Sequence, residues 1–224
     1  MLSWPWALVT GGVASCVVAL VAAVVWHTHW PNSADAEMMR WQEGAWVWGD
    51  GIATTVSSAT GPLVVLAAVA STTLAWRARR WDAVVLALVT APAALVIELL
   101  VKQLVDRQRP DGNGALLYPS GHVEVATAAA LTAVLVLRAT PAPPRTRLRV
   151  GYLAGCLVLV IAAARLVQTV HYVTDVVGGA ALGLAVTCWA ALAITAGYRA
   201  RLRVADRSLL PAGRVPSSDG TNSP

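Results

Sequence analysis

The sequence predicts an all-α integral membrane protein, a bundle of six spanning helices, and three observations carry that prediction. Of 224 residues, 57% are hydrophobic and 13% charged, whereas soluble domains carry about 25% charge. The apolar residues gather into six runs near the roughly 20 residues that a helix needs to cross a hydrocarbon core. Most arginines lie beside those runs, as topology signals do. No run alternates as a half-buried strand does. Ala, Val and Leu surround each segment instead of forming one stripe, the pattern of helices buried in lipid or in one another. Mean hydropathy of +0.61 agrees. High apolar content and only three cysteines exclude a disordered chain and a disulfide-stapled module. The formal charge of +5 is read as membrane orientation, so no nucleic-acid partner is expected.

The first run covers residues 5–26. Val13, Ala14 and Ser15 before Cys16 resemble a lipoprotein cleavage site, but no basic residue precedes the apolar stretch, so an uncleaved helix is expected. Residues 27–52 form the longest outer loop. There Met38, Trp41, Ala45 and Trp48 have near-helical spacing, which suits an interfacial helix over the outer mouth or a plain anchoring segment. His27 and His29 lack a nearby third ligand and read as solvated. The remaining runs span 53–76, 83–104, 120–139, 150–170 and 174–197. Cys16, Cys156 and Cys188 lie within runs and read as small buried hydrophobes. The domain is expected over 1–204, followed by a tail, 205–224, whose Ser, Pro, Gly and Asn content predicts no fixed structure.

Orientation follows from arginine placement. Arg77, Arg79 and Arg80 follow the second run, Arg138, Arg145, Arg147 and Arg149 separate the fourth from the fifth, and Arg199, Arg201, Arg203, Arg207 and Arg214 follow the sixth. These twelve of the 17 basic residues share one side, which the positive-inside rule makes cytoplasmic, with both termini inside. Trp4, Trp6, Trp76, Trp81, Tyr152 and Tyr198 at inner ends, and Trp26, Trp30, Trp46, Trp48, Tyr118 and Tyr172 at outer ends, are the expected aromatic belts.

Five basic residues do not obey this pattern: Arg40, Lys102, Arg107, Arg109 and Arg165. A charge at a helix centre costs about 2.5–3.5 kcal/mol on insertion scales, less near the ends, so such positions are informative. Lys102 is the sole lysine and ends the third run. Lysine offers a compact point charge and arginine a flat fork for two phosphate oxygens. Lys102, Arg109 and Arg165, converging from three segments, would make a pocket for a multiply charged anion. Singly, each also suits an interfacial anchor. Pro119-Ser120-Gly121-His122 reads as a loop turning into a helix, with Ser120 as N-cap. The unpaired amides and dipole of that helix end favour an anion, and Gly121 leaves room for close approach. His171 and Asp175 are i and i+4, so the carboxylate can fix the imidazole while the other nitrogen acts as base or nucleophile. His122 supplies a general acid. Glu98 is expected to pair with Lys102 at i+4, and Glu124 to make a polar contact between helices.

Together these segments resemble the type 2 phosphatidic acid phosphatase superfamily, whose pattern is Lys-x6-Arg-Pro, then Pro-Ser-Gly-His, then Ser-Arg-x5-His-x3-Asp. Here Lys102 precedes Arg109-Pro110, Pro119 to His122 form the second motif, and Ala164-Arg165 precedes His171 and Asp175, all in order. Ala164 stands where the family commonly has serine, so one hydroxyl near the phosphate is missing. The resemblance implies a six-helix bundle with an outward-facing phosphatase site. It implies that Lys102, Arg109, Ser120, Gly121 and Arg165 bind the phosphoryl group. His171 would attack phosphorus to give a phosphohistidine, oriented by Asp175, and His122 would protonate the leaving group and then activate water. Fixed cations neutralise the equatorial oxygens, so no metal and no cofactor is expected. The expected substrate is a lipid phosphate or diphosphate in a bacterial plasma membrane, its tail among the membrane lipids. A phosphotransferase or haloperoxidase on a related scaffold, and a non-catalytic lipid-phosphate scaffold or transporter, are the competing readings. Oligomeric state and the identity of the lipid stay open.

Overall fold

A computed structural model describes residues 4–26, 31–45, 50–107 and 116–209. Its helices are α1 (Trp4–Val25), α2 (Ser33–Ala45), α3 (Asp50–Arg77), α4 (Trp81–Val105), α5 (Gly121–Ala139), α6 (Pro144–Val167) and α7 (Val173–Leu209). All but α2 are long and apolar enough to cross a membrane. The six expected runs are therefore six spanning helices, shifted by a few residues at their ends except for α7, which runs twelve residues past the expected 197. The largest shift of a start is at α6, which begins at Pro144 and not near 150. Pro143 is extended and Pro144 takes the first helical turn, where its missing N–H costs nothing, so the prolines set the start. At the other end of the chain, α7 continues to Leu209, so 205–209 are helical although assigned to the tail. The rest of the tail, with Arg214, lies outside the described residues, as do His27, His29, Trp30, Trp46 and Trp48.

Burial sorts the helices. In the most apolar stretch of α5 and of α7, 61% of residues are buried, against 17% in α1, α3 and α6. Helix α5 touches α3, α4, α6 and α7, and α7 also packs on α1 and α4. The outer helices turn Leu20, Val65, Leu99 and Leu153 outward, where lipid takes the place of protein. Cys188 is buried as expected, but Cys16 and Cys156 are on the exposed faces of α1 and α6.

Two glycines bring α5 and α7 together. A Cβ on Gly179 would collide with the Ser120 carbonyl oxygen, and one on Gly183 would meet the Glu124 carbonyl and come within 2.9 Å of Thr127 Cβ. Small residues let helix backbones approach closely in a membrane, where packing rather than hydrophobicity drives association. Tyr118 wedges into the same region: its hydroxyl donates to the Val18 carbonyl of α1 at 2.8 Å. Tyr118 is fully buried and Tyr172 nearly so, which corrects their assignment to the outer aromatic belt. Each is packed among helices, not placed at the lipid boundary.

The arginine-rich turns gather at one end of the bundle. Arg80 is held by Asp82 at 2.9 Å and donates to the Ala139 carbonyl at 2.7 Å, tying the α3–α4 turn to the end of α5. Arg147 donates to the Thr140 carbonyl at 2.9 Å. The end of α4 and the starts of α5 and α7 are therefore at the opposite end.

Candidate active site

That opposite end receives Lys102 from the last turn of α4, Ser120, Gly121 and His122 at the start of α5, Arg165 from the last turn of α6, His171 from the turn before α7 and Asp175 from the first turn of α7. His122 and His171 are close enough to influence each other electrostatically, and both feel Arg165 and Lys102. Residues up to 73 positions apart thus share one place. Arg109 and Pro110 lie outside the described residues.

Backbone contacts at the ends of the helices fix these positions. Helix α4 stops at Asp106, which takes a left-handed conformation (φ 48°) and donates its N–H to the Lys102 carbonyl. Aspartate tolerates that region better than most residues. Leu117 N–H donates to the Arg107 carbonyl at 2.8 Å, which sets the approach to α5. Ser120 is extended at the N-cap position, and its backbone joins α7 to α5: its N–H donates to the Asp175 carbonyl and its own carbonyl accepts Glu124 N–H, each at 3.0 Å. Its side chain does not cap the helix as the sequence suggested. The Ser120 hydroxyl is buried without a hydrogen-bond partner among the described residues.

His171 is 7% exposed and lies between α6 and α7. Its Nδ1 is 3.6 Å from Asp175 Oδ2, within ion-pair reach but longer than a hydrogen bond. Burial pushes the imidazole below its ordinary pKa; Asp175 opposes that, while Arg165 and Lys102 reinforce it. Asp175 itself is fully buried. Its Oδ2 accepts Tyr172 N–H at 2.9 Å, and its Oδ1 accepts from the Arg107 guanidinium at 2.7 Å.

The cations are anchored too. Lys102 Nζ pairs with Glu98 at 2.6 Å, the expected i,i+4 contact. The Glu98 carboxylate lies over Gly121, where a Cβ would collide with it. Arg165 donates to Gln168 Oε1 at 2.7 Å, and Gln168 is held in turn by Ser57 at 2.8 Å and Thr54 at 3.1 Å on α3. Glu124 departs from expectation. It is fully buried, and neither carboxylate oxygen has a hydrogen-bond partner among the described residues, so the polar interhelical contact is not made. No group of three or more His, Cys, Asp or Glu able to hold a metal ion forms among the described residues.

Arg107, Asp35 and Gln168 are absent from the residues singled out by sequence for the site. Arg107 left a signal, as one of five basic residues off the arginine-rich side. Asp35 left none, because nothing local marks it as buried.

Residues 106–199 match the family profile of the PAP2 superfamily. This segment is similar to PAP2 domains. It contains both histidines, Asp175, Arg165 and the Ser120-Gly121 turn, and it begins four residues after Lys102. Phosphatidylglycerophosphatase B of Bacillus subtilis is 30% identical over 112 residues, 47% of this chain and 55% of that protein. Decaprenylphosphoryl-5-phosphoribose phosphatase of Mycobacterium tuberculosis is 36% identical over 135 residues, 55% of this chain and 66% of that protein. The chain thus spans 55% and 66% of the lengths of these curated relatives. The crystal structure of a transmembrane PAP2 type phosphatidylglycerolphosphate phosphatase from Bacillus subtilis superposes with a TM-score of 0.68 at 21% identity. It covers 86% of this chain and 97% of that one. The likeness establishes a shared fold.

Proposed function

We propose that this chain is a membrane lipid phosphatase that hydrolyses a phosphomonoester or diphosphate head group through a phosphohistidine intermediate. One observation carries the reading: two imidazoles, one backed by a buried carboxylate, meet Lys102 and Arg165 beside the N-terminus of α5. The phosphatase names of both curated relatives support it.

In this mechanism Lys102, Arg109, Arg165, the Ser120 hydroxyl and the first amides of α5, opened by Gly121, hold the phosphoryl oxygens. Their fixed positive ends neutralise charge as it spreads over the equatorial oxygens. Glu98 gives up Lys102 as the anion enters. His171 Nδ1 faces Asp175, so Nε2 is the nitrogen free to attack. Its lone pair forms an N–P bond as the P–O bond to the lipid breaks, and His122 donates a proton to the departing oxygen. His122 then takes a proton from water, whose oxygen attacks phosphorus and breaks the N–P bond. Phosphate leaves and both imidazoles are restored.

The site belongs on the extracytoplasmic face of a bacterial plasma membrane, with both termini cytoplasmic, because the arginine-rich turns occupy the other end of the bundle. A lipid phosphate reaches it with its tail still in the bilayer, so the reading favours lipid over soluble esters.

Phosphate release from a panel of glycerophospholipid and polyprenyl phosphates tests the proposal. Wild type is expected to release phosphate from at least one lipid, and His171→Ala to release none while eluting and melting like wild type. Binding without release by wild type would favour a non-catalytic scaffold, and unchanged turnover in His171→Ala would remove the nucleophile. Activity is expected to persist in excess chelator. Complete loss restored by magnesium would overturn the metal-free mechanism.

A further inference from the structure

Asp35 is fully buried although it belongs to α2, the short helix of the long loop after α1. Asn32 starts that helix by accepting Asp35 N–H on its side chain at 2.9 Å, and α2 packs on α7. The Asp35 carboxylate pairs with Arg107 at 2.8 Å, and the other arm of the same guanidinium reaches Asp175 at 2.7 Å. Thr174 cross-braces them, donating its hydroxyl to Asp35 at 2.8 Å and accepting from Arg107 at 2.6 Å. The guanidinium, 1% exposed, stacks 4.3 Å over the Tyr172 ring.

We infer that Asp35 and Arg107 are positioning residues: α2 holds the guanidinium that aims Asp175 at His171, so α2 is part of the active site. The inference rests on the phosphohistidine reading. An Arg fork is rigid, and two carboxylates on its two arms fix its plane. With Oδ1 taken by Arg107 and Oδ2 by Tyr172 N–H, the Asp175 carboxylate cannot rotate, and Oδ2 stays on the His171 side. The buried Asp35–Arg107–Asp175 set carries two negative charges and one positive. The positive charge that His171 gains when its Nε2 bonds to phosphorus balances the set. Without Arg107, two carboxylates would be left buried and mutually repelling.

The test compares Asp35→Asn, which keeps shape and still accepts from Thr174, with Asp175→Asn and the double variant, in the full-length protein. Expected for Asp35→Asn is a fall in kcat of about tenfold with KM within about twofold, at unchanged melting temperature. In the Asp175→Asn background the same change is expected to cost less than about twofold, because Asp35 acts through Asp175. Additive losses, or a KM effect alone, overturn the inference. A second readout needs no turnover. In ¹⁵N-histidine spectra of the protein with its four histidines, His171, identified by its absence in His171→Ala, is expected as a single Nδ1–H tautomer in wild type and as a mixture in Asp35→Asn. An unchanged tautomer overturns the inference even for a chain that releases no phosphate, whereas a shifted tautomer with no release overturns only the phosphatase reading. If Asp35→Asn does not fold, Thr174→Val removes the cross-brace and is expected to move both readouts the same way; no movement refutes the inference.

Discussion

Gly179→Ala tests the packing on which the active site depends. The added methyl would land on the Ser120 carbonyl oxygen. That oxygen cannot swing aside as a side chain would, because it accepts Glu124 N–H in the first turn of α5 while Ser120 N–H is bonded to Asp175. The helices must part, and overpacking of this kind costs about 1–3 kcal/mol. Helix propensity alone favours alanine by about 1 kcal/mol. Gly155→Ala on α6, where a methyl meets nothing within 4 Å, isolates that gain. The gain is common to both variants, so the gap between them is the overpacking cost, about 1–3 kcal/mol, or roughly 2–12 °C in melting temperature for a domain of this size. Parting α5 from α7 also separates His122 from His171, and a displacement near 1 Å costs on the order of 100-fold in rate. Thermal unfolding in detergent and lipid phosphate release measure the two effects. If Gly179→Ala melts with Gly155→Ala and turns over at the wild-type rate, the close approach does not set the site.

Two further outcomes follow from the geometry. Gln168→Ala removes the 2.7 Å bond that anchors Arg165 and should lower kcat/KM by roughly three- to tenfold, measurable by steady-state phosphate release; an unchanged value would mean that Arg165 needs no bracket. Because burial lowers the His171 pKa and only neutral His171 attacks, the acidic limb of activity should fall as pH drops through that depressed value, below the ordinary histidine value of about 6.5. A kcat/KM profile corrected for the substrate's own titration checks this, and an enzyme-borne acidic limb at pH 7 or above would contradict it.

The motif residues illustrate how far local pattern reaches. Fixed spacing on one helix brings Glu98 onto Lys102 with no knowledge of neighbours, whereas His171 precedes α7 and faces Asp175 from the turn before it, not from one helix face as the i,i+4 spacing suggested. Ser120 shows the limit: its local pattern suggested a side-chain cap, but Asp175 supplies the partner that orders its backbone. Arg107 was visible as an off-pattern charge, yet its role depends on Asp35, 72 residues earlier, and on Asp175, 68 later.

The spans, their number and the asymmetry of their arginines could be read from the chain because transfer into lipid is a property of each segment alone. Which faces meet protein could not, since lipid and a helical neighbour are equally apolar and hydropathy does not separate them. Contact decided that: glycines on α7 admit α5, Tyr118 and Tyr172 leave the lipid boundary for the interior, and Arg107 finds two carboxylates remote in sequence. A buried charge is stable only where its partners arrive, and their arrival is a fact of the whole fold.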